Sequence, residues 1–250
     1  MGYQERNKHV RDEYITFDPI KHIYNVQGVE YVSVTTLIHK YFPEFKADEV
    51  IDKMMKSKTW NTSKYYGMKK EEIKELWNNK GKKSSELGTI LHDRIENFYL
   101  NGCLDDKNDD KCYNQFLNFY NDEKLIPYRT EWRIFSDDHK VAGSVDIIFE
   151  GNKEGSVKLY DWKRSQEIKL INEYEKGLYP INNISNCNYE HYTLQLNIYK
   201  YLLENYYGIM VEEMAIIVFC ENNNNYQKFV LKNKQEEVNK LLNHYINNNK

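Results

Sequence analysis

The run "VKLYDWKRS", Val157 to Ser165, constrains this chain more than any other stretch. Val157, Leu159, Tyr160 and Trp162 place apolar bulk on both faces of a strand, the signature of a strand inside a sheet. Asp161 and Lys163 interrupt that run, and the two-residue period of a strand puts them on one face, side by side. An ionised group in such a place costs several kcal/mol, roughly, unless it is paired or bound to a cation. The same acid-x-Lys spacing at Glu72/Lys74, Asp109/Lys111 and Asp138/Lys140 falls on loops or polar helices and reads as surface charge. Only Asp161 and Lys163 lie within an apolar strand.

The chain has 250 residues and a net charge of −3, so no global basic field advertises nucleic acid. Its 22 Tyr and its apolar content support a proper core and exclude a disordered chain. The four cysteines, Cys103, Cys112, Cys187 and Cys220, match neither a CxxC metal site nor a compact iron–sulfur pattern. Free thiols in a reducing compartment are the expectation. No apolar run reaches the ~20 residues of a membrane helix. The polar start "MGYQERNKHV" lacks a secretory signal, and Arg6 occupies the position where a myristoylation signal has Ser or Thr. These features predict an intracellular, soluble protein, cytoplasmic or nuclear, with no membrane partner.

Alternation between Tyr14 and Tyr41 predicts a hairpin turning at Gln27-Gly28, with Ser33 and Thr35 placed to cap a following helix. Two short helices are expected near 47–57 and 69–79. From Lys53 to Lys83, ten lysines face Glu71, Glu72 and Glu75, with Trp60, Tyr65, Tyr66 and Trp77 interleaved. That composition suits a single-stranded nucleic acid path, or else a solvated pair of helices whose aromatics form a small core. The 3.6-residue period of Leu87, Ile90, Leu91, Ile95 and Phe98 predicts a helix ending at Asn101-Gly102. A helix from about 110, three strands, a helix ending at Gly208, two strands and a last helix complete the order. Three meandering strands and a helical crossover predict an α/β fold, a mixed central sheet flanked by helices. A division into an N-terminal elaboration, 1–83, and a core, 84–250, follows.

"AGSVDIIF" places Asp146 in the preceding strand. Antiparallel pairing across the turn at Gly151–Gly155 brings it beside Asp161. Two close carboxylates repel unless a cation lies between them, and oxygen ligands suit Mg²⁺ or Mn²⁺. Lys163 can then hold an attacking water or neutralise a phosphate; the alternative is a buried ion pair without catalysis. His92 and Glu96 share a helical face, and an imidazole ligand tilts preference toward Mn²⁺. Glu131, in the first strand, is a further carboxylate that either faces this site or lies on the surface.

"GTILHDRIE", "GSVDIIF", "YDWKRS" and "LQLNIY" stand in the order of the PD-(D/E)xK nuclease superfamily, and the region 84–220 resembles its RecB-like branch. That branch includes the mitochondrial genome maintenance exonuclease and relatives of lambda exonuclease. The matching positions are Gly88, His92 and Glu96; Gly143 and Asp146; Asp161 and Lys163; Gln195 and Tyr199. The resemblance implies a restriction-endonuclease-like core and a Mg²⁺- or Mn²⁺-dependent deoxyribonuclease of DNA repair, recombination or replication. His92, Asp146 and Asp161 would bind metal, Lys163 would activate water, Gln195 would lie near the Lys or the scissile phosphate, and Tyr199 would support its helix. Ser33 or Thr35 would touch phosphate, and Trp60 and Arg164 are further candidates for contact with DNA. Val145 replaces the signature proline, and Arg164 follows Lys163 where a small hydroxyl residue is common. The Cys trio of cluster-bearing relatives is missing, so no iron–sulfur cluster is expected. The resemblance favours an exonuclease on single-stranded ends or flaps, over a structure-selective endonuclease or an inactive DNA-binding module of the same fold.

Overall fold

The computed structural model describes residues 2–102 and 110–248. Cys103 therefore lies outside the described residues, while Cys112, Cys187 and Cys220 are buried free thiols. The residues form two compact units, 1–43 with 91–250, and 44–90.

The larger unit holds an eight-stranded mixed sheet. Its strands are β1 (Ile15–Asp18), β2 (Ile23–Val26), β3 (Val29–Ser33), β4 (Pro127–Ser136), β5 (Val141–Glu150), β6 (Ser156–Arg164), β7 (Met210–Phe219) and β8 (Gln227–Val230). The path runs β1-β2-β3-β5-β6-β7-β8, with β4 on the other edge of β5. Gln27 and Gly28 both have positive φ, 50° and 86°, the conformation that closes a two-residue hairpin between Val26 and Val29. The sheet is parallel at β3/β5 and β6/β7 and antiparallel at its other ladders.

This pairing moves the division of the chain away from residue 83. β3 joins the central sheet through Val32↔Val141 and Ser33↔Ala142, so the hairpin belongs with the core rather than with the lysine-rich stretch. Ile15, Tyr24, Val26 and Tyr31 bury against Phe135 and Ala142.

Helices cover both faces. α2 (Val34–His39), α6 (Asn188–Tyr206) and α7 (Gln235–Asn248) pack over one face with Val157 and Leu159 of β6. α5 (Lys111–Glu123) and the end of a long helix supply Leu91, Ile95, Phe116 and Phe119 to the other, against Tyr160 and Trp162. The alternation along β6 thus resolves into two cores, and Asp161 and Lys163 continue the α6 side.

The smaller unit contains α3 (Ala47–Met55) and the first part of α4 (Lys70–Asn101). The expected break near 79 does not occur: α4 is one helix of 32 residues. Good helix formers surround Gly81 and Gly88, no proline intervenes, and Ile73, Leu91 and Ile95 anchor it with buried side chains. Lys70 pairs with Asp48 and Asp52, and Lys74 with Asp48, so acids from α3 cancel part of the lysine excess. No helix among the described residues is long and apolar enough to cross a membrane.

Candidate metal centre and active site

β5 is longer than either partner on its inner edge. β3 pairs with its start and β6 with its end, Ile147↔Tyr160 through Glu150↔Val157. Among the described residues no strand pairs with this edge from Gly143 to Asp146, and β6 runs on beside β7. Asp146 and Asp161 face each other where the two strands part. The Asp146 carboxylate accepts the Trp162 N–H at 2.9 Å, in place of a ladder bond.

Asp161 is 2% exposed. Its Oδ2 lies 2.5 Å from Lys163 Nζ, and its Oδ1 accepts from Gln195 Nε2 at 3.2 Å. Burial pushes the Asp161 carboxyl up, and Asp146 pushes it further against the pull of Lys163. Burial alone would lower the Lys163 pKa, but Asp161 and Asp146 outweigh it and raise it, so the side chain remains an ammonium at neutral pH. It also sits 4.7 Å from the centroid of the Tyr192 ring. Gln195 donates to Tyr199 Oη at 3.3 Å. Tyr199 fills the space over Gly143, where a Cβ would stand 2.6 Å from its ring. The two motif residues on α6 are thus a support for Asp161 and a wedge for that support.

His92, on α4, contacts the Trp162 carbonyl oxygen through Nε2 at 2.9 Å. A carbonyl only accepts, so the bond assigns the proton of a neutral imidazole to Nε2 and leaves the lone pair on Nδ1. That Nδ1 lies 3.5 Å from Asp146 Oδ2. Two electron-rich atoms facing at this distance call for a proton or a cation between them.

Glu131 completes the group. Thr130↔Ile147 and Trp132↔Val145 flank it, placing it across from Asp146. Potential ligand atoms of His92, Glu131 and Asp146 lie within 4.8 Å of one another. Burial, then Asp146, with smaller pushes from Glu96 and Asp161, raise the Glu131 carboxyl to about 8 against the lowering pull of Ser144 Oγ, which donates to it at 3.0 Å. Glu131 has φ 44°, a left-handed backbone in mid-strand for a residue with a long side chain. Such a conformation costs of order 1–3 kcal/mol and persists where its surroundings over-determine it. Glu96 lies on the margin, its carboxyl pushed up by burial and by Asp93 against Arg133.

One imidazole and several carboxylates, crowded enough to raise the acids, fit a divalent cation of the Mg²⁺ or Mn²⁺ type. His92, Glu131 and Asp146 are the donors gathered most closely. Asp161, also expected among the ligands, bonds Gln195 through Oδ1, while its buried Oδ2 is ion-paired with Lys163 but accepts no well-formed hydrogen bond.

The remaining candidates have other partners. Ser33 caps α2, accepting from Thr36 N–H at 3.0 Å, and its hydroxyl is 3.1 Å from that of Thr35. Both therefore have structural work, although Ser33 stands opposite Ala142, next to the open edge of β5. Arg164 is held by Asp110 at 3.2 Å and by Glu221. Trp60 belongs to the unit of residues 44–90, half-buried against Tyr66.

Sequence reasoning passed over Tyr192 and Ser144. Tyr192 stands three residues before Gln195 on α6, and Ser144 two before Asp146 on β5, so helical and strand periods both pointed to them.

No protein-family model matches the chain, and no curated protein matches it. Among solved structures it is similar to the crystal structure of SSO0001, with a TM-score of 0.35 and 16% sequence identity over 86% of this chain and 74% of that one.

Proposed function

We propose that the protein is a divalent-metal-dependent nuclease that hydrolyses phosphodiester bonds in DNA, built on a restriction-endonuclease-like core. The observation that carries this reading is the fork between β5 and β6, where Asp146 meets His92 and Glu131 on one side and Asp161–Lys163 on the other. A bound Mg²⁺ or Mn²⁺ supplies Lewis acidity toward a phosphoryl oxygen. His92 Nδ1 and the carboxylates of Glu131 and Asp146 would hold it. Lys163, aimed by Asp161, would donate hydrogen bonds to a nonbridging phosphate oxygen or hold the attacking water in place. Gln195 in turn holds Asp161. The resemblance to the RecB-like branch and the lysine- and aromatic-rich stretch around Trp60 and Trp77 favour action on single-stranded ends or flaps.

The test is an assay with Mg²⁺ and Mn²⁺ on linear single strands, linear duplexes and circular DNA, using wild type, Asp146→Asn and Lys163→Met. Cleavage of linear DNA by wild type, lost in both variants, is the expected result. Cleavage of circles would make it an endonuclease. DNA binding without cleavage of any substrate would reduce it to a binding module of the same fold.

A further inference from the structure

We propose that Gln4 is a positioning residue for the cation site: it locks the Thr130–Glu131 peptide in the orientation that delivers the Glu131 carboxylate to His92 and Asp146. The inference rests on the cation site proposed above.

The edge of β4 away from β5 has no strand partner among the described residues. Residues 3–12 cover it with side chains. Gln4 Nε2 donates to Thr130 O at 3.0 Å and to Thr130 Oγ1 at 2.8 Å, while Gln4 Oε1 accepts from Thr130 N–H at 3.2 Å. One amide thus satisfies both backbone groups of Thr130, as a neighbouring strand would. Asn7 donates to Tyr128 O at 3.0 Å, and Asp12 accepts from the Trp132 indole at 2.6 Å.

Thr130 O belongs to the peptide that ends at Glu131 N. Its direction therefore fixes one side of the φ rotation of Glu131, the residue held at 44°. Pairing of Trp132 with Val145 fixes the other side. Between these two clamps the backbone cannot relax to the extended form, and the carboxylate stays at Ser144 Oγ and within the ligand cluster. An extended residue at 131 would point its Cβ differently and withdraw the carboxylate. Gln4 touches none of the ligands; it acts through the backbone of the residue before one.

Calorimetric titration of Mn²⁺ into the full chain tests this, with melting curves on every variant. Gln4→Met keeps the length of the side chain and removes the amide. It should weaken Mn²⁺ binding by roughly tenfold to a hundredfold, as loss of an outer support typically does. In a Glu131→Gln background, Gln4→Met should cause no further weakening. Asn7→Ala, which loosens the same segment from Tyr128, should bind Mn²⁺ as wild type does. Equal Mn²⁺ affinity in Gln4→Met and wild type would overturn the proposal and leave the cation site standing. So would an Asn7→Ala loss as large as that of Gln4→Met, or a Gln4→Met loss that persists in the Glu131→Gln background. A wild type that binds no Mn²⁺ would overturn the cation site and this inference together.

Discussion

Gly143 shows how a single absent atom shapes the site. Tyr199 is buried, and its phenol, pushed to a high pKa by burial, lies over the glycine while accepting from Gln195. Gly143→Ala would drive a methyl into that ring. The ring cannot retreat, because Leu196, Leu202 and Leu203 pack the same helix into the core. Overpacking of this kind costs about 1–3 kcal/mol, and we expect a matching fall in denaturation midpoint. Gln195 would move with Tyr199 and release Asp161, so activity should fall in the fraction that remains folded. An alanine variant with unchanged melting and activity would remove this role. The motif glycine was visible in the sequence, but its reason was not: the ring it accommodates is 56 residues away. The opposite held for Asp161 and Lys163, where strand period and apolar context together predicted their shared face. Glu131 stood out in the sequence only as a carboxylate, since nothing local announces a left-handed backbone within "YRTEWRIF".

At the scale of elements, the strongly periodic segments were legible, because burial of an apolar stripe dictates them. β4 through β7, α5, α6 and α7 lie where apolar spacing and turn residues placed them. The middle of α4 was not legible, since a polar stretch with two glycines and two serines carries little period of its own. Neither was the packing of residues 3–12 on β4, which depends on hydrogen bonds spanning more than a hundred residues. The junction of α2 with α6 makes an element-scale prediction. His191 packs 4.1 Å from the Phe42 ring, with His39 at 6.1 Å and Asn186 bonded to its Nε2. Burial, and then His39, lower its pKa from the usual 6.5 to about 4. A depressed imidazole means that the unfolded chain takes up the proton first. Stability is therefore complete above the ordinary histidine pKa and declines as pH falls from about 7 toward 4, by roughly 1–3 kcal/mol. His191→Gln keeps a donor for Asn186 and removes the titration. Its melting temperature should fall less than that of wild type between pH 7.5 and 5; parallel curves would show that His191 takes no part in the acid response.

For the whole molecule, net charge says little, because both signs are distributed by unit. Within residues 44–90, pairing to Asp48 and Asp52 offsets the charge of Lys70 and Lys74. Lys53, Lys56, Lys58 and Lys69 remain exposed, with no ion-pair partner among the described residues. The two tryptophans of this unit divide their work. Trp77 donates its indole N–H to Tyr65 Oη at 2.9 Å and packs near Phe45, so it is half-buried in a cluster of this unit's own aromatics. Trp60 meets Tyr66 edge-on at 6.0 Å, and Tyr66 is 61% exposed, so this pair offers aromatic surface beside Lys56 and Lys58 in sequence. If DNA is the substrate, single strands should bind here by stacking and phosphate contact. Trp60→Ala should then weaken a short single-stranded oligonucleotide by about 1–3 kcal/mol. Lys56→Ala with Lys58→Ala should flatten the salt dependence, each phosphate contact contributing a slope near −0.7, roughly, in log K against log salt. Trp77→Ala should instead lower the melting temperature of the unit and weaken binding only as far as it unfolds. Metal affinity should not change in the Trp60 or Lys variants. Should Trp60→Ala bind the oligonucleotide as tightly as wild type, with the salt slope unaltered in the Lys pair, residues 44–90 form a solvated helical unit, and DNA must be held by the sheet-bearing unit alone.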